Sequence, residues 1–243
     1  MKPKLLLVTV CLAWLPLFQC IAGDAAFVEA RKELIEEIRV WAARDSIIES
    51  ESFETSILGA LAAVPRHEFV PEGQKSEAWE NHPLPIGYGQ TISQPYIVAL
   101  MTDLVRPEAD DTVLEVGTGS GYQAAVLANL VRQVYSLEII EPLAEQVGKR
   151  LERLAYDNVK TKLGDGYFGW EEHAPFDAIV VTAAASHVPP PLIQQLHPGG
   201  RMVIPVGGRF AVQYLLLIEK DENGDSRTRQ ITAVRFVPLT GEH

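Results

Sequence analysis

The sequence predicts an α/β fold: a three-layer sandwich in which a mostly parallel seven-stranded sheet with an antiparallel edge lies between helices. Short β-branched runs alternate with helical patterns through the second half of the chain, an order that builds parallel sheets with helices on both faces. A tight turn joins the last two predicted strands, which are therefore expected to run antiparallel at one edge. The predicted strands are 112–116, 133–138, 159–163, 176–182, 201–205, 214–220 and 230–237.

The composition is that of a globular protein with a sizeable core. The chain has 243 residues, of which 47% are hydrophobic and 22% charged, and these values are ordinary for a folded domain. The formal net charge is −11, and no basic block occurs. A nucleic-acid surface is therefore not expected, because phosphate binding needs clustered lysines and arginines.

The first 22 residues have the pattern of a secretory leader. Lys2 and Lys4 precede an apolar run over 5–18, and small residues follow near 20–22, as in a signal peptide. The run is shorter than the ~20 residues of a membrane-spanning helix. Both cysteines of the chain lie in this segment. A chain that starts at residue 23 would therefore have no disulfide and no thiolate chemistry.

After the leader we expect one domain at 23–243. Two amphipathic helices are predicted within 25–64, and Leu34, Ile38 and Trp41 share one face of the first. Packing of this face against the core is favoured over a partner surface. The expected division of the chain into leader, helical substrate-side region and α/β cofactor-binding core is 1–22, 23–94 and 95–243.

Residues 65–94 show no regular period. Four prolines in this stretch exclude a long helix or a central strand. The segment 87–95 is rich first in glycine and then in hydroxyl and amide side chains, and helical spacing resumes directly after it. Thr91 and Ser93 therefore lie at the entrance to a helix. Ser93 either caps that helix or presents its hydroxyl to a crevice, and the spacing does not separate these two roles.

Three alternating glycines indicate a ligand-binding turn. The strand at 112–116 runs into Gly117, Gly119 and Gly121, and a helical pattern begins at Tyr122. Strand, glycine turn and helix form the first half of a nucleotide-binding βαβ unit, so the fold is expected to be Rossmann-like. The glycines permit positive φ and let a ligand approach the main chain closely.

The G-x-G-x-G spacing narrows the choice of ligand. Dinucleotide enzymes favour G-x-G-x-x-G, whereas the spacing here, preceded by Glu115, resembles the first motif of S-adenosylmethionine-dependent methyltransferases. The alternative is a tight strand–helix turn that binds no ligand. Ser120 and Gln123 have capping-box spacing, so we expect them to cap the helix that follows the turn.

Acidic residues at the ends of the next two strands complete the predicted site. Glu138 lies about 20 residues beyond the glycines, where an acid accepts the ribose hydroxyls of a nucleotide. Glu141 is the alternative candidate for this role, but it lies past the end of the strand. Asp165, between Gly164 and Gly166, is either a turn residue or an acceptor for an adenine amino group. No metal site is expected, because the six histidines have no metal-ligand spacing.

Short motifs are distributed from about Val64 to Thr240, over most of the chain after the leader. They are Val64-Pro65-Arg66 with Phe69-Val70-Pro71, Pro85 to Pro95, Leu114 to Tyr122, Gly164-Asp165-Gly166, Pro175-Phe176-Asp177, Pro198-Gly199-Gly200 with Pro205-Val206-Gly207, and Val237-Pro238-Leu239-Thr240. In these motifs the chain resembles the bacterial protein-L-isoaspartate (D-aspartate) O-methyltransferases, and the most selective part of the resemblance is the stretch 87–93.

The resemblance implies a repair enzyme that moves the methyl group of S-adenosylmethionine to the α-carboxyl of L-isoaspartyl residues in damaged proteins and peptides. Ser93 is then the active-site serine at the substrate carboxylate, with Thr91 and Thr240 beside the substrate. The implied protein is a monomer that needs no metal, nucleic acid or stable membrane partner. The expected cofactor-binding residues are Glu115, Gly117, Gly119, Gly121, Glu138, Asp165 and Gly166.

Two other functions and two locations stay open from the sequence. A nicotinamide-dependent oxidoreductase would share the βαβ unit, although the third glycine is misplaced for it. A non-catalytic binding protein of the cell envelope would fit the leader. The cofactor and the family imply the cytoplasm, whereas the leader predicts export to the periplasm.

Overall fold

The structure, a computed structural model, describes residues 26–44, 53–208 and 211–241. The predicted leader at 1–22 lies outside the described residues. The N-terminal part contains helices and a short hairpin, with 3₁₀ turns between them. Its elements are α1 (Val28–Ala42), α2 (Thr55–Ala63), β1 (Leu84–Gly87), β2 (Gln90–Ile92) and α3 (Pro95–Val105).

The α/β core follows α3. Its elements in chain order are β3 (Thr112–Val116), α4 (Tyr122–Ala128), β4 (Gln133–Glu138), α5 (Glu141–Arg153), β5 (Val159–Leu163), β6 (Phe176–Val181), α6 (Pro190–Gln195), β7 (Leu196–Val206), β8 (Gln213–Lys220) and β9 (Ser226–Val234). The spatial order of the strands is β5-β4-β3-β6-β7-β8-β9. The first five are parallel, and β8 and β9 each run antiparallel to their neighbours. The predicted mostly parallel sheet with an antiparallel edge is confirmed.

The sheet is covered on both faces, which is why its central strands are continuous apolar runs. In β3, Val113 faces a cluster that contains the inner residues of α1 to α5, and Leu114 faces the other cluster, which contains Leu192 of α6. Both β3 residues are fully buried. Burying one such side chain stabilises the fold by about 1.5–3 kcal/mol, so the alternation of these residues fixes which face each helix covers.

The last strands differ from their predicted bounds. The predicted strand 201–205 extends back to Leu196, because Leu196 pairs with Phe176 before a register shift. The predicted last strand begins earlier, at Ser226. Asp221 closes the preceding turn, since its Oδ1 accepts hydrogen bonds from the amides of Asn223 and Asp225. Pairing therefore starts directly after a short turn.

The hairpin formed by β1 and β2 was not predicted. Its strands pair antiparallel between Leu84 and Ile92, and Gly87 pairs with Gln90. The two residues between them, Tyr88 and Gly89, both have positive φ, at 54° and 71°, as in the type I′ turns of tight hairpins. The prolines of this stretch are tolerated because the hairpin has only edge strands.

Helix α1 packs on the rest of the domain by a narrower face than expected. Leu34 and Ile38 are buried as predicted, whereas Trp41 is 42% exposed and contacts the ring of Tyr96 at a centroid distance of 5.5 Å. Phe27 stacks on His67 at 4.3 Å. Within the described ranges, no helix has the length and apolar content needed to span a bilayer.

Candidate functional site

A crevice opens at the carboxyl ends of β3, β4 and β6. The strand order reverses between β3 and β6, and open α/β sheets bind ligands at such a point. The crevice contains about 750 Å³ of space, part of it open to solvent. Of the predicted site residues, those that line the crevice are Thr91, Ser93, Glu115, Gly117, Gly119, Glu138, Gly166 and Thr240.

The glycine turn forms the floor of the crevice. Gly117 and Gly119 have positive φ, at 97° and 53°. A Cβ on Gly117 would lie 2.6 Å from Oγ1 of Thr182, so a larger residue would push β3 and β6 apart. The amides of Gly117 and Thr118 donate to the carbonyl of Leu137 at 2.8 and 3.1 Å. This turn is therefore anchored to β4 as well as to β3.

Gly121 has a different role from the other two glycines. It does not line the crevice, and with φ at 86° it precedes the first residue of α4. A Cβ there would lie 2.5 Å from Cγ2 of Val147, so this glycine lets α4 approach α5. The geometry does not bring Gly121 to a ligand in the crevice, and its predicted contact with the cofactor stays a prediction.

The predicted capping box at the start of α4 is wrong. Gly121 occupies the cap position without a side-chain bond. Ser120 Oγ accepts a hydrogen bond from the amide of Tyr122 at 3.2 Å, not from Gln123 as a capping box requires. The Gln123 amide group instead donates to Oγ1 of Thr102 in α3 at 3.0 Å. Both partners are buried, so a tertiary hydrogen bond took precedence over the local one.

Glu138, at the end of β4, connects the glycine turn to the next helix. The carboxylate is only 5% exposed. Its Oε2 accepts from the amide of Gly119 at 2.7 Å and its Oε1 from the amide of Ile140 at 2.8 Å. A carboxylate can accept about four hydrogen bonds. Two therefore remain for a ligand in the crevice, as the ribose prediction requires.

Glu115 lies fully buried under the turn. Burial raises the pKa of Glu115 to about 8, opposed by a hydrogen bond from Ser136 and reinforced by the charge of Glu138. Ser136 Oγ donates to Oε2 of Glu115 and lies 2.6 Å from Oγ1 of Thr118. Oε1 of Glu115 has no hydrogen-bond partner among the described side chains and backbone. With a pKa of about 8, this carboxyl is mostly protonated at neutral pH, although a backbone hydrogen bond from Ala124 also opposes the increase in its pKa.

Asp165 lies behind the lining of the crevice. Gly164 and Gly166 line the cavity, but Asp165 does not. Its Oδ1 accepts from the amide of Tyr167 at 2.9 Å and caps a short 3₁₀ turn. Asp165 is therefore a turn residue, which is one of the two roles predicted for it from the sequence. Recognition of an adenine amino group by Asp165 stays a prediction.

Ser93 reaches the crevice without capping α3. Gln94 occupies the cap position, and the amide of Tyr96 donates to Oδ1 of Asn81 at 3.0 Å. The first turn of α3 is therefore capped by a residue remote in sequence. The carbonyl of Ser93 accepts from Nη2 of Arg66 at 2.8 Å. Of the two roles left open for Ser93, helix capping is wrong.

A second groove adjoins the crevice. Thr91, Ser93 and Thr182 line both cavities and so form the wall between them. The far side of the groove is the segment after β9, including Arg235 and Phe236. A chain lying in this groove would therefore pass Ser93 at the point where the crevice opens.

The C-terminal segment that carries Thr240 crosses the crevice mouth. The amide of Leu239 donates to the carbonyl of Ala184 at 2.8 Å, and the amide of Ala184 donates to the carbonyl of Val237 at the same distance. Residues 237–240 thus pair with the loop after β6, and Thr240 lines the crevice beside it. The role of Thr240 beside the substrate and the cofactor, which the resemblance implies, stays a prediction.

Sequence reasoning missed Thr182 and the hydroxyl pair below the turn. Thr182 directly follows β6, and its Oγ1 donates to the carbonyls of Val116 and Gly117. The rule that polar residues at strand ends meet at one edge would have found it. No sequence rule would have selected Thr118 or Ser136, because hydroxyl side chains are common in turns and strands. Within the described ranges, no group of three or more side chains could hold a metal ion.

Fold and crevice together define a class of protein. The seven-stranded sheet, the glycine turn after β3 and the acid at the end of β4 form the Rossmann-like arrangement of class I methyltransferases. A solved protein-L-isoaspartate O-methyltransferase superposes with a TM-score of 0.77 at 28% identity, over 87% of this chain and 66% of that one. A Plasmodium falciparum beta-aspartate methyltransferase (PCMT), in complex with S-adenosyl-L-homocysteine, has a TM-score of 0.70 at 26% identity, over 86% and 98%.

The chain belongs to the protein-L-isoaspartate(D-aspartate) O-methyltransferase (PCMT) family, whose model matches residues 32–243. It is 62% identical to protein-L-isoaspartate O-methyltransferase 2 of Syntrophobacter fumaroxidans over 223 residues, which cover 91% of this chain and 90% of the relative. It is 61% identical to protein-L-isoaspartate O-methyltransferase 1 of Cupriavidus necator over 223 residues, or 91% and 86%. The family predicted from the sequence motifs is confirmed.

Proposed function

We propose that this protein transfers the methyl group of S-adenosylmethionine to the α-carboxyl of L-isoaspartyl residues in damaged proteins and peptides. The observation that carries the proposal is that Ser93 and the glycine turn line one crevice. A crevice that holds both a cofactor-type turn and a hydroxyl open to a second groove suits a reaction between two bound molecules. Membership of the family supplies the reaction and the substrate class.

The cofactor is proposed to lie over the turn formed by Gly117 and Gly119. Glu138 would accept hydrogen bonds from its ribose hydroxyls with the two acceptor positions that the backbone leaves. Glu115 and Gly166 would line its pocket, and Asp165 would accept from the adenine. The complex of the Plasmodium relative with S-adenosyl-L-homocysteine supports a ligand of this type. When bound, S-adenosylmethionine supplies an already activated methyl group.

The proposed acceptor needs no general base. An α-carboxyl has a pKa of about 3.5 and is an anion at neutral pH, so its oxygen can attack without losing a proton first. The protein's task is then to orient the carboxylate and exclude water. Orientation of bound reactants can lower a barrier by about 7–11 kcal/mol. Ser93 donates its hydroxyl to one carboxylate oxygen, so that the other points toward the donor.

The substrate peptide is proposed to enter from the second groove. Thr91 and Thr182 stand beside Ser93 in the wall between the two cavities, and Thr240 closes the other side. A peptide in this groove would present the α-carboxyl of its isoaspartyl residue to Ser93, while the flanking residues of the peptide stay outside the crevice. Thr91, Ser93 and Thr240 are therefore proposed as the substrate-binding residues, with the chain acting as a monomer.

The direct test is methyl transfer from labelled S-adenosylmethionine to an isoaspartyl peptide and to its aspartyl twin of the same sequence. We expect label on the isoaspartyl peptide alone. Equal labelling of both peptides, or of neither, would refute the proposal. Titration with NADH in parallel distinguishes the oxidoreductase alternative, which requires NADH to bind more tightly than S-adenosylhomocysteine.

We further propose that residues 23–243 form the functional domain and that it acts in the cytoplasm. The methyl donor is made there, and the family is cytosolic by resemblance. The leader pattern at 1–22 predicts export instead. Cell fractionation with N-terminal sequencing distinguishes the two: an uncleaved chain in the cytosolic fraction supports the proposal, and a chain cut near residue 23 in the periplasm contradicts it.

A further inference from the structure

Arg66 is a buried cation between the substrate side and the cofactor side of the crevice. It begins the 3₁₀ turn after α2 and is fully buried. Its Nη2 donates to the carbonyl of Ser93 at 2.8 Å and lies 3.4 Å from the carbonyl of His82. Its guanidinium lies over the ring of Tyr122, with Cζ 4.7 Å from the centroid. Tyr122 is the residue directly after the glycine turn.

The contacts of Arg66 do not compensate for its burial. Nε and Nη1 are buried without a hydrogen-bond partner in the described part of the chain. No described carboxylate forms an ion pair with Arg66; its charge is offset by two carbonyls and by Tyr122, through both the ring face and the hydroxyl. Burial lowers the pKa of Arg66 to about 10, against the opposing effect of Tyr122, so the side chain stays charged at neutral pH. A buried unpaired charge destabilises a fold, and an apolar side chain of similar volume would stabilise it more.

Arg66 is well placed to set the distance between Ser93 and the glycine turn. Ser93 precedes α3 and is not fixed by a side-chain cap, so its main chain is held by the Arg66 bond from one side and by the start of α3 from the other. The planar guanidinium holds a carbonyl at its edge and an aromatic ring at its face, which the flexible ammonium of lysine cannot do equally well. The ring belongs to α4, which continues from the cofactor turn.

We infer that Arg66 is a positioning residue for methyl transfer: it fixes Ser93 relative to the Gly117–Gly121 turn by joining the Ser93 carbonyl to the Tyr122 ring. Arg66 touches neither reactant. It acts on the angle at which the Ser93 hydroxyl meets the acceptor carboxylate. This inference rests on the proposed function, because it concerns the geometry of that transfer.

The test compares three variants with the wild type on the isoaspartyl peptide. R66M removes the charge and the donor at similar volume, and R66K retains the charge and one donor group. R201M is the matched control, because Arg201 also donates to a backbone carbonyl of α3, that of Leu104 at 3.3 Å, but at the far end of the helix and away from the crevice. For each variant, kcat, KM and the Kd of S-adenosylhomocysteine are measured.

We expect R66M to lower kcat at least tenfold while the Kd of S-adenosylhomocysteine changes less than twofold. R66K should recover part of kcat, and R201M should stay within twofold of the wild type. The inference is overturned if R66M retains kcat, or if cofactor affinity and kcat fall in parallel, as for a merely structural residue. If R66M does not fold, the kcat of R66K is the test. A reduced kcat with unchanged cofactor affinity supports the inference, and a full wild-type kcat overturns it.

A second readout needs no catalysis. Amide hydrogen exchange of the segment 90–94, with S-adenosylhomocysteine bound, should be faster in R66M than in wild type, while exchange in 117–121 is unchanged. Equal exchange at 90–94 would overturn the inference. Failure of the wild type to methylate the peptide would instead refute the proposed function, and the exchange measurement would still report whether Arg66 holds Ser93.

Discussion

Ser93 illustrates how a hydroxyl becomes available for a ligand. The hydroxyl oxygen of a serine at a helix entrance normally accepts a hydrogen bond from a backbone amide of the first turn, but here Oδ1 of Asn81 accepts that bond instead. The backbone of Ser93 is held through its carbonyl by Arg66. The main chain is thus fixed by one group while the side chain faces the crevice, which is the arrangement that a residue orienting a carboxylate requires.

Replacing Ser93 by alanine should slow methyl transfer without loosening the cofactor. A hydrogen bond to a charged group contributes about 1.5–3 kcal/mol, so kcat/KM for the isoaspartyl peptide should fall roughly 10- to 100-fold. The Kd of S-adenosylhomocysteine, measured by calorimetry, should stay within twofold. Ser226→Ala, at the exposed start of β9, is the control. Parallel loss of cofactor binding in Ser93→Ala would indicate a structural serine.

Glu115 links the site to the stability of the protein. The carboxyl is buried and one of its oxygens has no partner in the described chain. Since burial raises its pKa to about 8 from an ordinary value of 4.5, the folded protein retains a proton there that the unfolded chain loses. Its contribution to stability is therefore fully present below about pH 4.5 and is lost as the pH rises toward 8.

Glu115→Gln should remove this pH dependence. Without ligand, the free energy of unfolding of the wild type should fall between pH 5 and 8.5 more steeply than that of the variant, by an amount on the order of a few kcal/mol. Urea unfolding at both pH values measures the difference. Glu222→Gln, in the exposed turn before β9, should keep the wild-type slope. Equal slopes in wild type and Glu115→Gln would mean that Glu115 ionises normally.

Residue-level prediction succeeded where strand order alone determines position. Glu138 ends a strand next to the glycine turn, so its place followed from the parallel sheet. Asp165 and Gly121 do not line the crevice. Asp165 accepts a hydrogen bond from the amide of Tyr167, two residues further on, and Gly121 packs closely against Val147 of α5. A spacing rule carries no information about such contacts.

At the scale of elements, α3 depends on a contact that its own sequence does not contain. Asn81 accepts from the amide of Tyr96 through its side chain, accepts from Gln94 through its carbonyl, and donates to Glu37 in α1. One residue in an irregular segment thus joins two helices to the substrate side of the crevice. The periodic pattern predicts where α3 lies, but its cap cannot be found from the pattern.

Asn81→Ala should destabilise the fold by about 0.5–2 kcal/mol, the usual effect of losing a helix cap. It should also raise the KM for the isoaspartyl peptide, since the segment that ends in Ser93 would be less fixed. Urea unfolding and steady-state kinetics measure the two effects. Asn223→Ala, in the exposed turn before β9, should change neither. An unchanged free energy of unfolding in Asn81→Ala would show that the cap contributes nothing.

The strands were predicted more accurately than the N-terminal connections. The bounds of β3 and β4 agree with their runs because strands buried on both faces are largely hydrophobic. β5, an edge strand in which two lysines alternate with Val159, Thr161 and Leu163, also has its predicted bounds. The hairpin at 84–92 was missed, since prolines and a three-residue strand give no period of two. Its tight turn depends on positive φ at Tyr88, and tyrosine is not a residue that signals such a turn.

At the scale of the molecule, the sheet order gathers residues that are far apart in the chain. Ser93, Gly117, Glu138 and Thr240 come from four different segments and line one crevice. Parallel strands deliver their carboxyl ends to one edge, so the cofactor half of the site follows from the fold. The substrate half depends on how the N-terminal segment folds over that edge, and buried contacts such as that of Arg66 with Tyr122 decide it. Such contacts produce no periodic pattern in the sequence, so periodicity could not predict them.

The central claim is that one crevice brings an ionised acceptor held by Ser93 to a donor seated over the glycine turn. A crystal structure with S-adenosylhomocysteine and an isoaspartyl peptide tests it most directly. We predict the thioether sulfur over the Gly117–Gly121 turn, and the isoaspartyl α-carboxylate within hydrogen-bond distance of the Ser93 hydroxyl with its other oxygen toward the sulfur. A thioether bound away from that turn, or a peptide bound outside the groove beside Ser93, would contradict the claim.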